Sequence, residues 1–339
     1  MNVAGGRLQP RERIELDDFP VDVAWSGDGN TLAVAGGEGA LLLLSTLAAP
    51  EPPRTIGRHA GGVLALAWQA GGQQLASSGQ DGLVRLWDTR SLECKQLLQA
   101  KEWSERLAFS DDGRLLAVAS ARSLHLFNQR GEPQHQFTEH AGVIAAIAWR
   151  PKSSEIAAVG NGGLQLHRPG LKPQSRAFPW RAAALTASWN PDGRMLAAGM
   201  QDGGVHVWNI AASSAAELPA ASGRIIAAGW SGSGRYLAAA AGSNLLIWEF
   251  GKAAQVSRPL ELQAHSERIT AMALRPTGST LVSAGRDRRL LLWRLGATET
   301  PQDAHLLSDD CTLLRFSRDG ARLAVGDARG GLTLYDCTP

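Results

Sequence analysis

The sequence predicts an all-β chain built from eight copies of one four-stranded unit, on three observations. An apolar run ending in a bulky residue recurs at Trp25, Trp68, Phe109, Trp149, Trp189, Trp230, Leu274 and Phe316, at spacings between 40 and 44 residues. A polar, Gly-containing turn and two further short apolar runs follow each of these positions. The runs are too short for helices, and Gly, Asp or Asn punctuates them at hairpin spacing. Self-similarity at a fixed period marks an array of one supersecondary unit, not a two-domain enzyme.

The second copy shows the elements in order. VLALAW (63–68) reads as the first strand, QAGG as a turn, QQLASSG (73–79) as the second strand, and LVRLWD (83–88) as the third, after a turn at Gln80-Asp81-Gly82. The turn between first and second strands repeats its chemistry as SGDGN (26–30), SDDGR (110–114), NPDGR (190–194) and SRDGA (317–321). Asp supplies a local side-chain hydrogen bond, and Gly takes the positive φ of a tight hairpin. A more variable outer strand follows each triplet, as in PPRTIGRH (52–59) and PQHQFTEH (133–140). The units run approximately 19–59, 60–100, 101–140, 141–180, 181–220, 221–265, 266–306 and 307–336.

The strings HAGGVLALAW…LASSGQDGLVRLWD (59–88) and HSERITAMAL…LVSAGRDRRLLLW (265–293) closely resemble the WD40 repeat, and MLAAGMQDGGVHVWN (195–209) is a third match without the leading His. The resemblance implies a single-domain WD40-type β-propeller over residues 1–339, of eight blades around a central channel, with seven as the alternative count. The last triplet, RLAVGDARGGLTLYD (322–336), leaves no room for its own outer strand, whereas RERIELDD (11–18) has no blade of its own. Pairing the two closes the ring and covers an edge that would present unpaired backbone groups.

In the family, a His before the first strand, a Ser or Thr in the second, an Asp in the next turn and a Trp in the third form a buried hydrogen-bond chain. His59, Ser77, Asp81 and Trp87 match this set, as do His265, Ser283, Asp287 and Trp293. The fifth copy keeps Asp202 and Trp208 but has Trp180 for His and Ala198 for Ser. Glu38 and Arg329 stand at the Asp position of the first and last copies. A Ser, a His and an Asp together invite a catalytic-triad reading. The set recurs in register with the repeat, however, and its Ser falls mid-strand instead of on an exposed elbow. Ten of the eleven tryptophans fall at repeat-equivalent positions and are expected to pack between blades; Trp103, in a loop, is the exception.

The resemblance also implies which residues face a partner. Residues six and four positions before the end of each first strand, and the residue before the turn Asp, project from the top face of such propellers. The first set is Phe19, Gly62, Trp103, Val143, Ala183, Arg224, Arg268 and Asp310; the second is Val21, Leu64, Glu105, Ala145, Leu185, Ile226, Thr270 and Thr312. Gln80, Gln201 and Arg286 form the third. Phe19, Leu64, Trp103, Glu105, Arg224, Arg268 and Arg286 are the candidate partner-binding residues, because exposed aromatics and Arg dominate interface energetics.

Other chemistry is not expected. GxxxxGK[ST], HExxH, GxSxG and CxxC are missing from the sequence, and the Gly-rich strings are hairpin turns with no following helix. His135 and His140 lie five apart, but two ligands without a third are a weak zinc signal. Near the axis only Asp22, Arg106 and Arg315 interrupt small residues, which does not assemble an acid/base pair. A formal net charge of +2 names no nucleic-acid partner. The N-terminus has no secretory h-region, and no apolar run is long enough to span a membrane. Three cysteines (Cys94, Cys311, Cys337) without CxxC spacing argue for free thiols and a cytoplasmic protein. The reading is a non-catalytic, monomeric scaffold or adaptor that needs no cofactor and binds proteins through its top face. The alternative is a propeller that takes a small molecule or metal in its channel.

Overall fold

The protein is described by a computed structural model over residues 6–47, 51–218, 224–251 and 258–338. Among the described residues every element is a strand, and the strands form eight four-stranded antiparallel sheets, the blades of an eight-bladed β-propeller. They fall in two compact units. One, Asp17–Arg181, carries blades one to four; the other joins the segment ending at Leu16 to the chain from Ala182 onward and carries blades five to eight.

Sequence pattern tracks position within a blade. The second strand is buried on both faces, so it reads as a continuous run of small apolar residues. Tyr236–Ala241 (YLAAAA) is buried at every residue, and Thr31–Gly36 at all but the first. The outer strands Cys94–Gln99 and Gln174–Trp180 are mostly exposed, which explains their variability. The apolar cores lie between adjacent blades. Ala35, Leu41, Val63 and Trp87 share one, and Leu245, Ile269, Leu281 and Trp293 share another. Trp208 and Trp248 are almost wholly inaccessible. Trp180 departs from the packing expectation: it ends the outer strand Gln174–Trp180 opposite Gly162 and is only half-buried.

The N-terminal strand pairs with the last strand of blade eight, as expected, but it spans Leu8–Glu15 and not residues 11–18. Its register shifts between Pro10 and Glu12, where a proline without an N–H is tolerated at a bulge. Past Glu15 the Leu16 amide still donates to the Gly330 carbonyl at 2.9 Å, one step further in the same register. Buried Leu8 anchors it among Cys311, Phe316 and Cys337. The Leu8 amide donates to Asp303 Oδ2 at 2.8 Å, and Arg13 pairs with Asp327 at 3.0 Å.

Candidate docking surface

Two backbone devices recur where the top-face residues fall. In six first strands the ladder slips by one residue at the same place: Pro20/Asp22, Val63/Ala65, Ile144/Ala146, Ile225/Ala227, Ile269/Ala271 and Cys311/Leu313. The bulged residues are Val21, Leu64, Ala145, Ile226, Thr270 and Thr312, which belong to the second expected set. A bulge re-aims the side chain it carries and interrupts pairing there. Blades three and five lack it, because their first strands begin later, at Arg106 and Ser188, the fifth preceded by an isolated bridge between Ala184 and Met200.

The second device ties the first expected set to the turn before the third strand. The amides of Gly37, Gln80, Gln201, Arg286 and Ala328 donate to the carbonyls of Phe19, Gly62, Ala183, Arg268 and Asp310, all at 2.9–3.0 Å. Arg286 and Arg268 are thereby held together, and the Phe19 ring lies where a Cβ on Gly37 would stand.

In blades two and seven the turn is fixed from below. His59 Nδ1 donates to Asp81 Oδ1 at 2.8 Å, Ser77 Oγ donates to His59 Nε2 at 2.8 Å, and Trp87 Nε1 donates to Ser77 Oγ at 2.8 Å. His265, Asp287, Ser283 and Trp293 repeat this at 2.9, 2.8 and 3.0 Å. Burial pushes the His59 and His265 pKa down despite the carboxylate beside each, so both rings are neutral. Burial pulls Asp81 and Asp287 the other way, but the bonds from the His ring and from backbone amides hold them below the usual carboxylate range. A Ser mid-strand with both neighbours engaged is a structural bridge, not a nucleophile.

The exposed side chains differ between the units. In blades one to four, Phe19, Trp103 and Val143 are 47%, 53% and 61% exposed, and Val21 is exposed too. The first strands of these blades lie side by side in order. Leu64, between blades one and three, is half-buried, and exposed Glu105 faces Arg106 at 3.7 Å. In the other unit Arg224, Arg268 and Arg286 are all exposed, and among the described residues none is in an ion pair. Two of the ionisable residues expected near the axis bind backbone. Asp22 Oδ2 accepts the Leu66 amide at 2.9 Å, and Arg106 Nε donates to the Ala145 carbonyl at 2.6 Å, each reaching the next blade.

Sequence reasoning missed a buried histidine pair in blade four. His140 Nδ1 donates to the Arg122 carbonyl at 3.1 Å, and its Nε2 meets His167 Nε2 at 3.0 Å. His167 Nδ1 accepts from Ser175 Oγ at 2.8 Å. His140 stands where His59 stands in blade two, and His167 replaces the Trp; with Ala158 at the Ser position, the two rings bond directly. His135 is turned elsewhere, its Nε2 accepting the Gly170 amide at 3.2 Å, so His135 and His140 do not converge. In the last blade Asp327, two residues before Arg329, caps the turn by accepting the Arg329 and Gly331 amides at 3.0 and 2.8 Å.

The family model "WD domain, G-beta repeat" (WD40) matches residues 50–88, 181–209 and 257–294, which end at the third strands of blades two, five and seven. Similar proteins include "Cell division cycle 20.4, cofactor of APC complex" of Arabidopsis thaliana, 24% identical over 82% of this chain and 66% of that protein. "Meiotic fizzy-related protein 1" of Schizosaccharomyces pombe is 22% identical over 87% of this chain and 62% of its own length. "Anaphase-promoting complex subunit cdc20" of Dictyostelium discoideum is 24% identical over 87% of this chain and 52% of its own. The chain thus spans between about half and two thirds of these three relatives.

Proposed function

We propose that this chain, a WD40-repeat β-propeller, is a non-catalytic adaptor that captures other proteins on the bulged ends of its first strands. The observation that carries the reading is the exposure of Phe19, Val21, Trp103 and Val143 at the expected top-face positions of blades one, three and four, where Phe19 is tied to the Gly37 amide and Val21 sits on a bulge. Several large apolar side chains held out to solvent on neighbouring strands are what a partner buries. The relatives support an adaptor reading, since two are named as a cofactor or a subunit of the anaphase-promoting complex. By the same likeness, this chain brings a captured protein to a larger assembly. It acts as a monomer in the cytoplasm. The three thiols fit that place: all are free, and burial pushes Cys311 and Cys337 up to about 12.

The test is affinity capture from the native cell with the parent chain, Trp103→Ala and Phe19→Ala, each read by mass spectrometry and by thermal melting. Trp103→Ala should weaken capture of a specific partner about thirtyfold, the effect of losing an interface hot spot, with melting unchanged. Capture unaltered by both substitutions would overturn the reading.

A further inference from the structure

We infer that the arginine-bearing face of blades six and seven receives a carboxylate-rich segment of a partner protein; this rests on the adaptor reading and adds the chemistry of one partner. Arg224 and Arg268 occupy the same repeat position in adjacent blades, and the Arg286 amide on the Arg268 carbonyl at 3.0 Å brings a third cation beside them. Their equivalents elsewhere are Phe19, Gly62, Trp103, Val143, Ala183 and Asp310, so the positive strip stops at these two blades.

The strip is not neutralised from within. The nearest carboxylate in sequence to Arg286 is Asp287, and its oxygens already accept from His265 Nδ1 and from the Ser266 and Arg289 amides. Thr270, the bulged residue between the arginines, turns its hydroxyl onto the Ala284 carbonyl at 3.2 Å. Exposed Glu267 is the one acidic side chain in the same loop as Arg268. On the blade-eight side, Asp309 pairs with Arg329, which closes off the next place an acidic segment would lie.

The distribution selects the ligand. Three guanidiniums carried by three repeat positions over two adjacent blades suit a run of carboxylates better than one phosphate, which needs donors converging on a point. Single-stranded nucleic acid needs aromatic platforms for its bases, and the exposed aromatics of the expected set, Phe19 and Trp103, belong to the other unit.

A fluorescent oligoglutamate peptide titrated with the full chain, followed by anisotropy at low and high salt, tests the assignment. Binding should be measurable at low salt and fall as salt rises. Each of Arg224→Ala, Arg268→Ala and Arg286→Ala should weaken it up to about fivefold, since exposed ion pairs are individually modest. The triple charge reversal to Glu should abolish it, whereas Trp103→Ala should leave it unchanged. All these side chains are exposed, so melting temperatures should match the parent. Failure of the peptide to bind, binding indifferent to the three arginines, or tighter arginine-dependent binding of a singly phosphorylated peptide or of oligo-U RNA would overturn the proposal. If the peptide fails while a Trp103-dependent partner is still captured, the carboxylate assignment falls and the adaptor reading stands.

Discussion

Each buried histidine works only as a neutral ring, and this makes stability depend on pH. His140 Nδ1–H donates to a carbonyl, so its Nε2 must accept from His167 Nε2–H, which leaves His167 Nδ1 to accept from Ser175. A proton added to His140 sets two N–H groups against each other, whereas one added to His167 falls on Nδ1, turns Ser175 from donor to acceptor and leaves a buried charge. Burial, then the charge of His140, pushes His167 down to about 4. A folded pKa below the unfolded value of about 6.5 means that the unfolded chain binds the proton first. Stability is therefore complete above that pH and is lost as the pH falls toward about 4, by about 3 kcal/mol from this residue. Urea unfolding between pH 7.5 and 4.5 checks it: His167→Gln, which keeps a donor for His140, should lose less stability on acidification than the parent. Equal losses would mean that His206, also pushed down to about 4 by burial, carries the effect with the same sign. Asp81→Asn should cost about 1–3 kcal/mol at neutral pH, because the amide cannot accept all the bonds the carboxylate now takes from His59, Arg85 and the Ala60 and Leu83 amides. The Asp81 set was legible because its residues keep the repeat's spacing. The histidine pair was half-legible: HAGV at 140 repeats HAGG at 59, but a His at a Trp position gives no hint of its partner until the strands are paired.

The hairpin between first and second strands shows how an element can be read from its sequence while its neighbours cannot. In SDDGR the Ser110 hydroxyl donates to Asp112 and accepts the Leu115 amide, and Asp112 accepts the Arg114 amide, so the turn is closed by its own residues. Such local chemistry shows in the string itself. What the string hides is how closely the next blade approaches. Gly71 in the blade-two turn and Gly113 in the blade-three turn both take left-handed backbone, at φ +66° and +67°, but a Cβ on Gly71 would meet nothing within 4 Å, whereas one on Gly113 would stand 2.8 Å from the Ala70 carbonyl oxygen. Gly71→Ala should cost about 1–2 kcal/mol for the left-handed backbone alone. Gly113→Ala should cost a further 1–3 kcal/mol, roughly, for forcing two turns apart. Equal losses in chemical denaturation would refute the close approach. The first-strand bulge was hidden for the same reason: VLALAW reads as six paired residues, and only the partner strand shows that Leu64 has no opposite number.

At the scale of the whole molecule, the repeat leaves one blade a strand short, and the first strand of the chain makes good the deficit. Without Leu8–Glu15, the strand Gly331–Cys337 would present an open edge, and buried Leu8 would leave a hole beside Cys337 and Phe316. The Leu8 amide on Asp303 and Arg13 on Asp327 fix the register on both sides of the Pro10 bulge, which simple strand alternation would have slipped. That slip is also why the sequence placed the strand three residues late: RERIELDD is the more regular string, whereas LQPRERIE carries the proline. A truncation lacking residues 1–15 should melt well below the parent and aggregate, because an unpaired strand edge recruits other chains. Leu8→Ala in the full chain should cost about 2–5 kcal/mol, the usual loss for a buried leucine. Adding the peptide of residues 6–16 to the truncated chain should restore much of the melting temperature, since a ligand that binds only the folded state stabilises it. A truncated chain that melts with the parent and stays in solution would show that blade eight holds its edge without help, and that the pairing of the two ends is incidental to the fold.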